Sequence, residues 1–419
     1  MGDEEHSAAI AHMAAEARAA QRLVAAMDDA AKAAALNKAA AALREDAAQI
    51  LEANADDLAA ARAAGLSPAL CDRLLLDEAR LEGVAAAVEQ VARLPDPVGQ
   101  VIDRSERPNG LALSRVRVPV GVIGIIYESR PNVTVDAAAL AFRAGNAAIL
   151  RGGSEAAGSN RALHAAFTRG LTKAGAPAGA VQLVPDQDRA LVGAMLAAAG
   201  AIDMIIPRGG KNLVARVQAD ARVPVLAHLD GICHTYVHAA ADPDMARAIA
   251  LNAKLRRTGI CGAMETLLID AGFADGAGLV GALINAGCEL RGDGRAQALD
   301  PRIIPASAED WGTEYLDAVL SVAVVDGVEA AMAHIATHGS QHTDAIVTAH
   351  ASVAERFLAE VDSAIVMVNA SSQFADGGEF GLGAEIGIAT GRLHARGPVA
   401  LEGLTTYKWQ VRGCGQIRA

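Results

Sequence analysis

Short apolar runs alternate with helical segments from about residue 120 onwards, and this alternation constrains the fold more than any other feature. Because a strand, a helix and the next parallel strand are joined by a right-handed crossover, such a pattern predicts a parallel sheet. Helices are predicted at 133–144, 155–173, 187–199 and 211–220. The predicted strands of this first set are Val122–Tyr127, Ala147–Leu150, Val181–Val184, Asp203–Ile206 and Val223–Ala227.

A second set of the same kind follows, without any sequence repeat between the two. Its predicted strands lie near 233–237, 265–269, 320–325, 343–347 and 363–368, with helices between them. The chain therefore predicts two successive α/β regions, each built on a parallel sheet.

The flanking segments have different patterns. The first hundred residues are rich in alanine, the strongest helix former, and predict long helices with breaks near 65–68 and 95–97. Residues 100–120 alternate apolar and polar side chains, which predicts a hairpin. The segment 405–411 alternates in the same way and predicts a terminal strand. That strand could pair with the hairpin or with a partner subunit.

Length and charge bound the class of protein. A chain of 419 residues suggests two or three domains, and 52% hydrophobic residues argue against disorder for most of it. The net charge of −12 argues against a general nucleic-acid binder, which needs a basic surface. The acidic start, Met1–His6, does not resemble a signal peptide, and no apolar run approaches about 18 residues. We therefore expect no membrane span and a cytoplasmic location.

Cys261 is the first candidate for chemistry. Gly259 and Gly262 flank it and leave backbone room around the sulfur, and a predicted strand follows at once. A nucleophilic cysteine needs access, a lowered pKa and nearby N–H donors. The alternative is a buried structural cysteine, which local sequence leaves open. The odd number of cysteines and the lack of a CxxC pair argue against disulfides or a zinc ribbon, so the other four are predicted to be structural: Cys71, Cys233, Cys288 and Cys414.

Two glycine turns are candidates for anion binding. Leu150–Ser154 and Pro207–Lys211 each follow a predicted strand and open a predicted helix. Free N–H groups at a helix N-terminus favour anions, and glycines allow a phosphate to come close to the backbone. Neither turn has the GxGxxG or Walker pattern, and such turns are also ordinary tight connections. Both interpretations stay open.

Histidines and carboxylates are less informative. His334, His338 and His342 are spaced by four residues, which on one helix would suit metal ligation, but Gly339–Ser340 interrupts the helix. No HExxH arrangement is present, so we predict no metal site. Spacing alone does not rank the candidate carboxylates, which are Glu128, Glu265, Glu314, Glu379 and Glu385.

The run Tyr127–Asp136 resembles the signature of the gamma-glutamyl phosphate reductase family. Further segments match that family in order along the chain: 149–153, 206–211, 228–234, the Cys261 segment, 341–346, 376–387, 394–398 and 404–408. The resemblance implies an α/β, aldehyde dehydrogenase-like fold, with a Rossmann-like cofactor domain, an α/β catalytic domain and a small β oligomerisation flap.

The same resemblance implies the division of the chain. Residues 1–230 would form the N-terminal helices and the cofactor domain, with the hairpin 100–118 in the oligomerisation flap. Residues 231–368 would form the catalytic domain with Cys261. Residues 369–419 would form a Gly-rich substrate loop, a return to the cofactor domain and a C-terminal oligomerisation strand.

The activity implied by the resemblance is NADPH-dependent reduction of L-glutamyl 5-phosphate to L-glutamate 5-semialdehyde and phosphate, in L-proline biosynthesis. Cys261 would carry a thioester, and Asn132 would supply a side-chain oxyanion donor, although the superfamily's asparagine falls nearer Ser129. The implied cofactor-binding residues are Arg151, Gly209, Gly210 and Glu314, and the implied substrate-binding residues are Arg130, Ser371 and Phe380. The resemblance also implies a homo-oligomer and an association with glutamate 5-kinase, and it implies no metal.

Two positions depart from the family or superfamily pattern. Ser154 stands where many family members have lysine, which puts a phosphate contact there in doubt. Hydrolytic aldehyde dehydrogenases carry a glutamate base in a Glu-Leu-Gly-Gly segment, where this chain has His228–Gly231. The absence of that base predicts a thioester that is reduced or cleaved by phosphate. The competing interpretations are a hydrolytic aldehyde dehydrogenase, a metal-binding hydrolase and a non-catalytic scaffold.

Overall fold

The structure is a computed structural model that describes residues 2–128 and 130–418. The chain divides into two compact units. Unit 1 comprises residues 1–227, 382–387 and 399–419, and unit 2 comprises residues 228–381 and 388–398. The predicted domain boundaries and the roles of the domains stay predictions.

Helices fill the N-terminal hundred residues and then separate the strands, as the sequence predicts. Asp28, Ser67 and Asp77 accept hydrogen bonds from the first turns of α2, α4 and α5, which explains why these helices begin where they do. In chain order the helices are α1 Asp3–Ala26, α2 Asp29–Glu45, α3 Ala47–Ala63, α4 Pro68–Leu74, α5 Glu78–Arg93, α6 Val133–Arg143, α7 Ala157–Lys173, α8 Arg189–Ala197, α9 Lys211–Asp220, α10 Pro243–Leu255, α11 Gly276–Asn285, α12 Gly294–Gln297, α13 Gly327–His338 and α14 Ala351–Glu360.

The strands follow the predicted apolar runs closely. In chain order they are β1 Val101–Glu106, β2 Ala112–Pro119, β3 Val122–Tyr127, β4 Ala147–Arg151, β5 Val181–Leu183, β6 Met204–Arg208, β7 Cys233–Val237, β8 Met264–Asp270, β9 Glu289–Gly292, β10 Ile304–Pro305, β11 Val319–Val325, β12 Thr343–Val347, β13 Ile365–Val368, β14 Ile388–Ala389, β15 Gly397–Pro398 and β16 Thr405–Arg412.

The sheet of unit 1 is parallel, in the order β5-β4-β3-β6. Strands β3 and β4 are buried throughout, which is typical of a parallel sheet covered on both faces. Helix α1 packs Ile10, Ala14 and Ala17 into the core that Val122 and Ile126 of β3 also enter. Pairing of Ile126 with Arg151 and of Tyr127 with Arg208 brings the carboxyl ends of β3, β4 and β6 to one edge.

The prediction of a strand at Val223–Ala227 is wrong. Only Val225 forms an isolated bridge there, with Ile205 of β6. Pro224 has no N–H to donate, so it accepts from Ile205 through its carbonyl but cannot continue a regular ladder. The segment therefore runs beside the sheet without extending it.

A separate antiparallel sheet, in the order β1-β2-β16, belongs to unit 1. The hairpin β1–β2 matches the alternating segment 100–120, and β16 pairs with β2 from Thr405–Pro119 to Arg412–Ala112. Of the two pairings left open for the terminal strand, the chain makes the one with its own hairpin. The whole of β1 is exposed, as are Tyr407 and Trp409 on β16.

Unit 2 contains a seven-stranded parallel sheet in the order β10-β9-β11-β8-β7-β12-β13. One core cluster combines this sheet with α10 and α11, and a second combines it with α13 and α14. The sequence did not predict β9 and β10, which are short and lie at one end of this sheet, or β14 and β15, which pair with each other. Among the helices of the described chain, none is long and apolar enough to cross a membrane.

Candidate active site

Cys261 lies in a turn of unit 2 between α10 and β8, and it is partly exposed. The backbone on one side is tightly packed: a Cβ added to Gly231 would lie 2.2 Å from the Cys261 carbonyl oxygen. Glycine at 231 therefore allows this close approach. A cysteine on a tight turn with a glycine-lined backbone keeps the sulfur accessible, as a nucleophile requires.

A buried ion pair joins the two ends of the segment that carries Cys261. Lys254, near the end of α10, donates to Glu265 Oε2 at the start of β8 over 2.5 Å, and both side chains are fully buried. Glu265 Oε1 also accepts from the Leu316 N–H, at 3.3 Å. Burial raises the pKa of Glu265 to about 7, against the opposing effect of Lys254. The pair thus links the two ends of the cysteine turn.

Two imidazoles lie beside the thiol. One ligating atom from each of His228, Cys261 and His342 lies within 4.8 Å of the other two. The rings of His228 and His342 meet edge to face, with centroids 5.1 Å apart. His342 is fully buried, and burial lowers its pKa to about 3, so this imidazole is neutral at physiological pH.

The Nδ1 atom of each imidazole lies within hydrogen-bond distance of an oxygen atom. His342 Nδ1 lies 2.9 Å from Thr343 Oγ1, and His228 Nδ1 lies 2.7 Å from the Ile388 carbonyl oxygen. Because a carbonyl only accepts, His228 Nδ1 carries the proton. His342 Nε2 is buried and has no hydrogen-bond partner among the described residues.

Cys233 is buried next to Cys261 and donates to the Cys261 carbonyl oxygen over 3.1 Å. Burial raises its pKa well above the usual thiol value, so it stays protonated. The neighbouring thiol therefore supports the turn and is not a competing nucleophile.

The other predicted site residues of unit 2 lie on three different segments. Glu314 accepts from the Gly231 N–H over 3.0 Å and so holds the loop that packs on Cys261. Ser371 is buried and caps a short helical turn by accepting from the Gln373 N–H at 3.3 Å. Phe380 is exposed.

In unit 1, the turn with Gly209 and Gly210 opens α9 at the carboxyl edge of the sheet. The Gly210 N–H donates to Glu128 Oε2 over 3.0 Å, so a carboxylate of the chain itself lies at this helix N-terminus. A negative group there is favoured by the N–H groups and the helix dipole. The N-terminus of α9 therefore suits an anion, and the Glu128 carboxylate is the negative group bound there.

Arg151 ends β4 at the same edge and is 9% exposed. Its guanidinium donates to the carbonyls of Gly152 and Gln187, each over 2.8 Å. Burial lowers the pKa of Arg151, against the attraction of Glu155. Arg151 Nε and Gln187 Oε1 are buried without hydrogen-bond partners among the described residues. These orphaned polar atoms show that the edge has hydrogen-bonding capacity that its own chain does not use.

Asn132 precedes α6 in unit 1, and its Nδ2 donates to Asp136 Oδ2 over 2.8 Å. Burial raises the pKa of Asp136 to about 6. The Arg130 backbone carbonyl accepts from Val133 N–H at the helix start, while its side chain is exposed. Ser129, to which the superfamily's asparagine falls nearer, lies outside the described residues.

Comparison with known proteins decides the family. The model of the aldehyde dehydrogenase family matches residues 3–301. A gamma-glutamyl phosphate reductase from Novosphingobium aromaticivorans is 72% identical over 406 residues, covering 97% of this chain and 96% of that protein. The chain belongs to the gamma-glutamyl phosphate reductases of the aldehyde dehydrogenase family. It is therefore an oxidoreductase, as predicted.

Solved structures confirm the predicted fold. The crystal structure of the gamma-glutamyl phosphate reductase from Thermotoga maritima has a TM-score of 0.96 at 42% identity, covering 98% of this chain and all of that one. An engineered glycolyl-CoA reductase with bound NADP⁺ has a TM-score of 0.66 at 16% identity, covering 96% of each chain, which shows a shared fold only. This chain therefore has the aldehyde dehydrogenase-like α/β fold with parallel sheets.

Membership of this family implies a nicotinamide cofactor, and unit 1 fits one. The carboxyl edge of an open parallel sheet is where dinucleotides bind in such folds. The orphaned atoms of Arg151 and Gln187 lie at this edge and offer one donor and one acceptor to a polar ligand.

The sequence did not predict the group of His228, Cys261 and His342. These residues come from three separate segments, and the spacing of four residues relates His342 only to His338 and His334. The resemblance gives a signal for His228 alone, because it implies that this residue stands where hydrolytic aldehyde dehydrogenases carry a glutamate base.

Proposed function

We propose that the chain reduces L-glutamyl 5-phosphate to L-glutamate 5-semialdehyde and phosphate with NADPH, as a step of L-proline biosynthesis. The observation that carries the proposal is Cys261, a partly exposed thiol on a glycine-lined turn next to two imidazoles. The names of the close relatives support the substrate.

In this mechanism the Cys261 thiolate attacks the acyl carbon of the substrate, a carbon–sulfur bond forms, and the carbon–oxygen bond to phosphate breaks. The product of this step is a thioester on Cys261 and free phosphate. The Cys261 N–H and the Asn132 amide are proposed to stabilise the negative charge that develops on the acyl oxygen. His228, with its Nδ1 proton on the Ile388 carbonyl, presents a basic Nε2 that can take the thiol proton.

We propose Arg151, Gly209, Gly210 and Glu314 as the residues that hold the nicotinamide cofactor. When bound, the cofactor supplies the two electrons that reduce the acyl group. Arg151 would favour the 2′-phosphate of NADPH, and the Gly209–Gly210 turn would receive the pyrophosphate once Glu128 yields the Gly210 N–H. Arg130, Ser371 and Phe380 are proposed to contact the substrate.

The thioester must survive until it is reduced, and the chain lacks the glutamate base of the hydrolytic enzymes at His228. The lack of this base supports a reverse reaction in which phosphate, and not water, attacks the thioester. A homo-oligomer, an association with glutamate 5-kinase and a cytoplasmic location stay predictions.

The reverse reaction tests the proposal. Purified protein is given glutamate 5-semialdehyde, NADP⁺ and inorganic phosphate, and formation of the reduced cofactor is followed by absorbance. We expect no turnover without phosphate and full turnover when arsenate replaces it. Oxidation at a comparable rate without either anion would place the protein in the hydrolytic class, with His228 as the base that activates water.

A further inference from the structure

We propose that His228, Cys261 and His342 form an inhibitory binding site for a zinc ion. Nothing in the proposed reaction requires a metal, so this inference goes beyond that function while using the same thiol. Three features of unit 2 support a metal here: the spacing of the three ligands, the hydrogen bonds made by Nδ1 of the two imidazoles, and a buried nitrogen without a partner among the described residues.

The spacing is close to that of a metal site. The three ligating atoms lie within 4.8 Å of one another. In a tetrahedral zinc site, bonds of about 2.0–2.3 Å place neighbouring ligand atoms roughly 3.3–3.6 Å apart. A rotation of the partly exposed Cys261 side chain would bring its sulfur closer to the two imidazoles.

The hydrogen bonds behind the imidazoles have the form found at histidine-bound metals. A ligating histidine usually donates its other ring N–H to an oxygen, which fixes the ring and raises its basicity. His228 Nδ1 donates to the Ile388 carbonyl at 2.7 Å, and His342 Nδ1 lies 2.9 Å from Thr343 Oγ1. In both rings Nδ1 lies within hydrogen-bond distance of an oxygen atom, so a metal ion would be bound through Nε2.

The third observation is His342 Nε2 itself. The side chain is fully buried, and this nitrogen has no hydrogen-bond partner among the described residues. A buried nitrogen of this kind is costly unless something binds it, which a cation in contact with Cys261 and His228 would do.

The ligand set selects the metal. One thiolate and two neutral imidazoles suit Zn²⁺ and exclude Mg²⁺ or Ca²⁺, which prefer oxygen. On binding, the thiol loses its proton to solvent and a zinc–sulfur bond forms, so the sulfur lone pair is no longer available to attack an acyl carbon. Zinc should therefore inhibit the enzyme without any change in the fold.

A second imidazole group in unit 2 offers a useful contrast. His334 and His338 lie near Trp311, and His234 lies near His334. These residues supply no sulfur, and His234 Nδ1 is already bonded to buried Asp344 over 2.9 Å. Among the described residues, only the group with Cys261 brings three potential ligands this close. His334 is therefore a suitable control residue.

The test uses the full chain, reduced and treated with a chelator. Zn²⁺ is titrated against a chromophoric chelator, and Co²⁺ is used as a spectroscopic substitute that gives a thiolate-to-metal charge-transfer band. We expect one equivalent of metal with that band in the wild type. Cys261→Ser should abolish the band, and His342→Ala should weaken zinc binding by on the order of tenfold or more. The controls Cys414→Ser, which removes an exposed thiol, and His334→Ala should bind as the wild type does.

Two measurements keep the test decisive if His342→Ala folds poorly. His342→Gln preserves the size of the side chain and removes the strong ligand, so it should show the same loss of affinity. In the wild type, zinc should slow iodoacetamide labelling of the Cys261 peptide, read by mass spectrometry, and EDTA should restore both labelling and activity.

The proposal is overturned if Cys261→Ser or His342→Gln binds zinc as tightly as the wild type, or if His334→Ala loses the metal. It is also overturned if zinc leaves the labelling of Cys261 unchanged. A protein that performs the phosphate-dependent reaction but binds no zinc would refute only this inference. A protein that binds zinc through Cys261 but lacks that reaction would refute only the proposed function.

Discussion

The carboxyl edge of the unit 1 sheet and the Cys261 turn of unit 2 differ in how their polar groups are satisfied. At the edge, the Gly210 N–H is held by Glu128 and the Arg151 guanidinium by two backbone carbonyls. Around Cys261, both imidazoles are anchored at Nδ1, while His342 Nε2 has no partner among the described residues. At the edge, the Gly210 N–H and two Arg151 nitrogens must give up internal hydrogen bonds to bind a ligand, and only Arg151 Nε and Gln187 Oε1 are without partners among the described residues. The cysteine turn already presents ligating atoms.

This difference shows what local sequence can and cannot indicate. A glycine turn at the end of a strand locates a helix N-terminus, but it does not say whether the N–H groups are already used. A histidine in sequence does not say which nitrogen faces a site, because its neighbours come from other segments. Four substitutions test the comparison, from the largest expected effect to the smallest.

Cys261→Ser should abolish turnover while leaving the fold and cofactor binding intact. A hydroxyl packs where the thiol did, but its alkoxide is scarcely available at neutral pH. We expect the rate to fall more than about a hundredfold, a loss of about 3 kcal/mol or more in transition-state stabilisation. Steady-state kinetics and calorimetric titration with NADPH measure the two properties, with Cys414→Ser as the control. A serine variant with more than about a hundredth of the rate would exclude the covalent role.

Lys254→Met should destabilise unit 2 strongly. It leaves Glu265 buried without its cation at the base of the cysteine turn, and breaking such a pair costs about 3–5 kcal/mol. Chemical denaturation measures the free energy of unfolding. Arg295→Met breaks an exposed pair with Asp326 in the same unit and should change stability little. Equal effects of the two substitutions would show that the buried pair does not secure the turn.

Arg151→Ala should raise the Michaelis constant for NADPH more than that for NADH. The contact that we propose Arg151 makes to the extra phosphate is charge-assisted and would be worth roughly 1.5–3 kcal/mol, so the preference should shift by about tenfold or more. Arg189→Ala tests the alternative, because the charge of Arg189 acts on Arg151. A larger change in cofactor preference in that variant would assign the phosphate contact to Arg189. Equal effects on both cofactors would mean that Arg151 only shapes the turn through its bonds to Gly152 and Gln187.

Glu128→Gln should tighten cofactor binding by about two- to fivefold. The substitution removes the negative charge that competes at the N-terminus of α9, where such charges contribute about 0.3–1 kcal/mol. Titration with NADP⁺ measures the affinity, and Glu82→Gln, an exposed carboxylate bonded to Arg44 in the same unit, is the control. Weaker binding in Glu128→Gln would instead indicate that the carboxylate orders the turn for the cofactor.

The sequence located the central strands of both sheets because their buried apolar runs are long and bounded by turns. The prediction from sequence was wrong at 223–227, where Pro224 prevents a regular strand. It missed β9 and β10, which are too short to give a pattern. It also left the partner of the terminal strand undecided, since an alternating segment specifies a half-buried strand but not the strand beside it.

By itself, the sequence determined the α/β class, the family and Cys261 as the candidate nucleophile, since each depends on periodicity or on a contiguous motif. Only the tertiary structure decided that β16 pairs with β2, that Glu128 occupies the Gly210 N–H, and that His228 and His342 meet at Cys261. The physical reason is that these contacts join residues far apart in the chain. Their geometry is set by the packing of whole strands and helices, which local patterns do not encode.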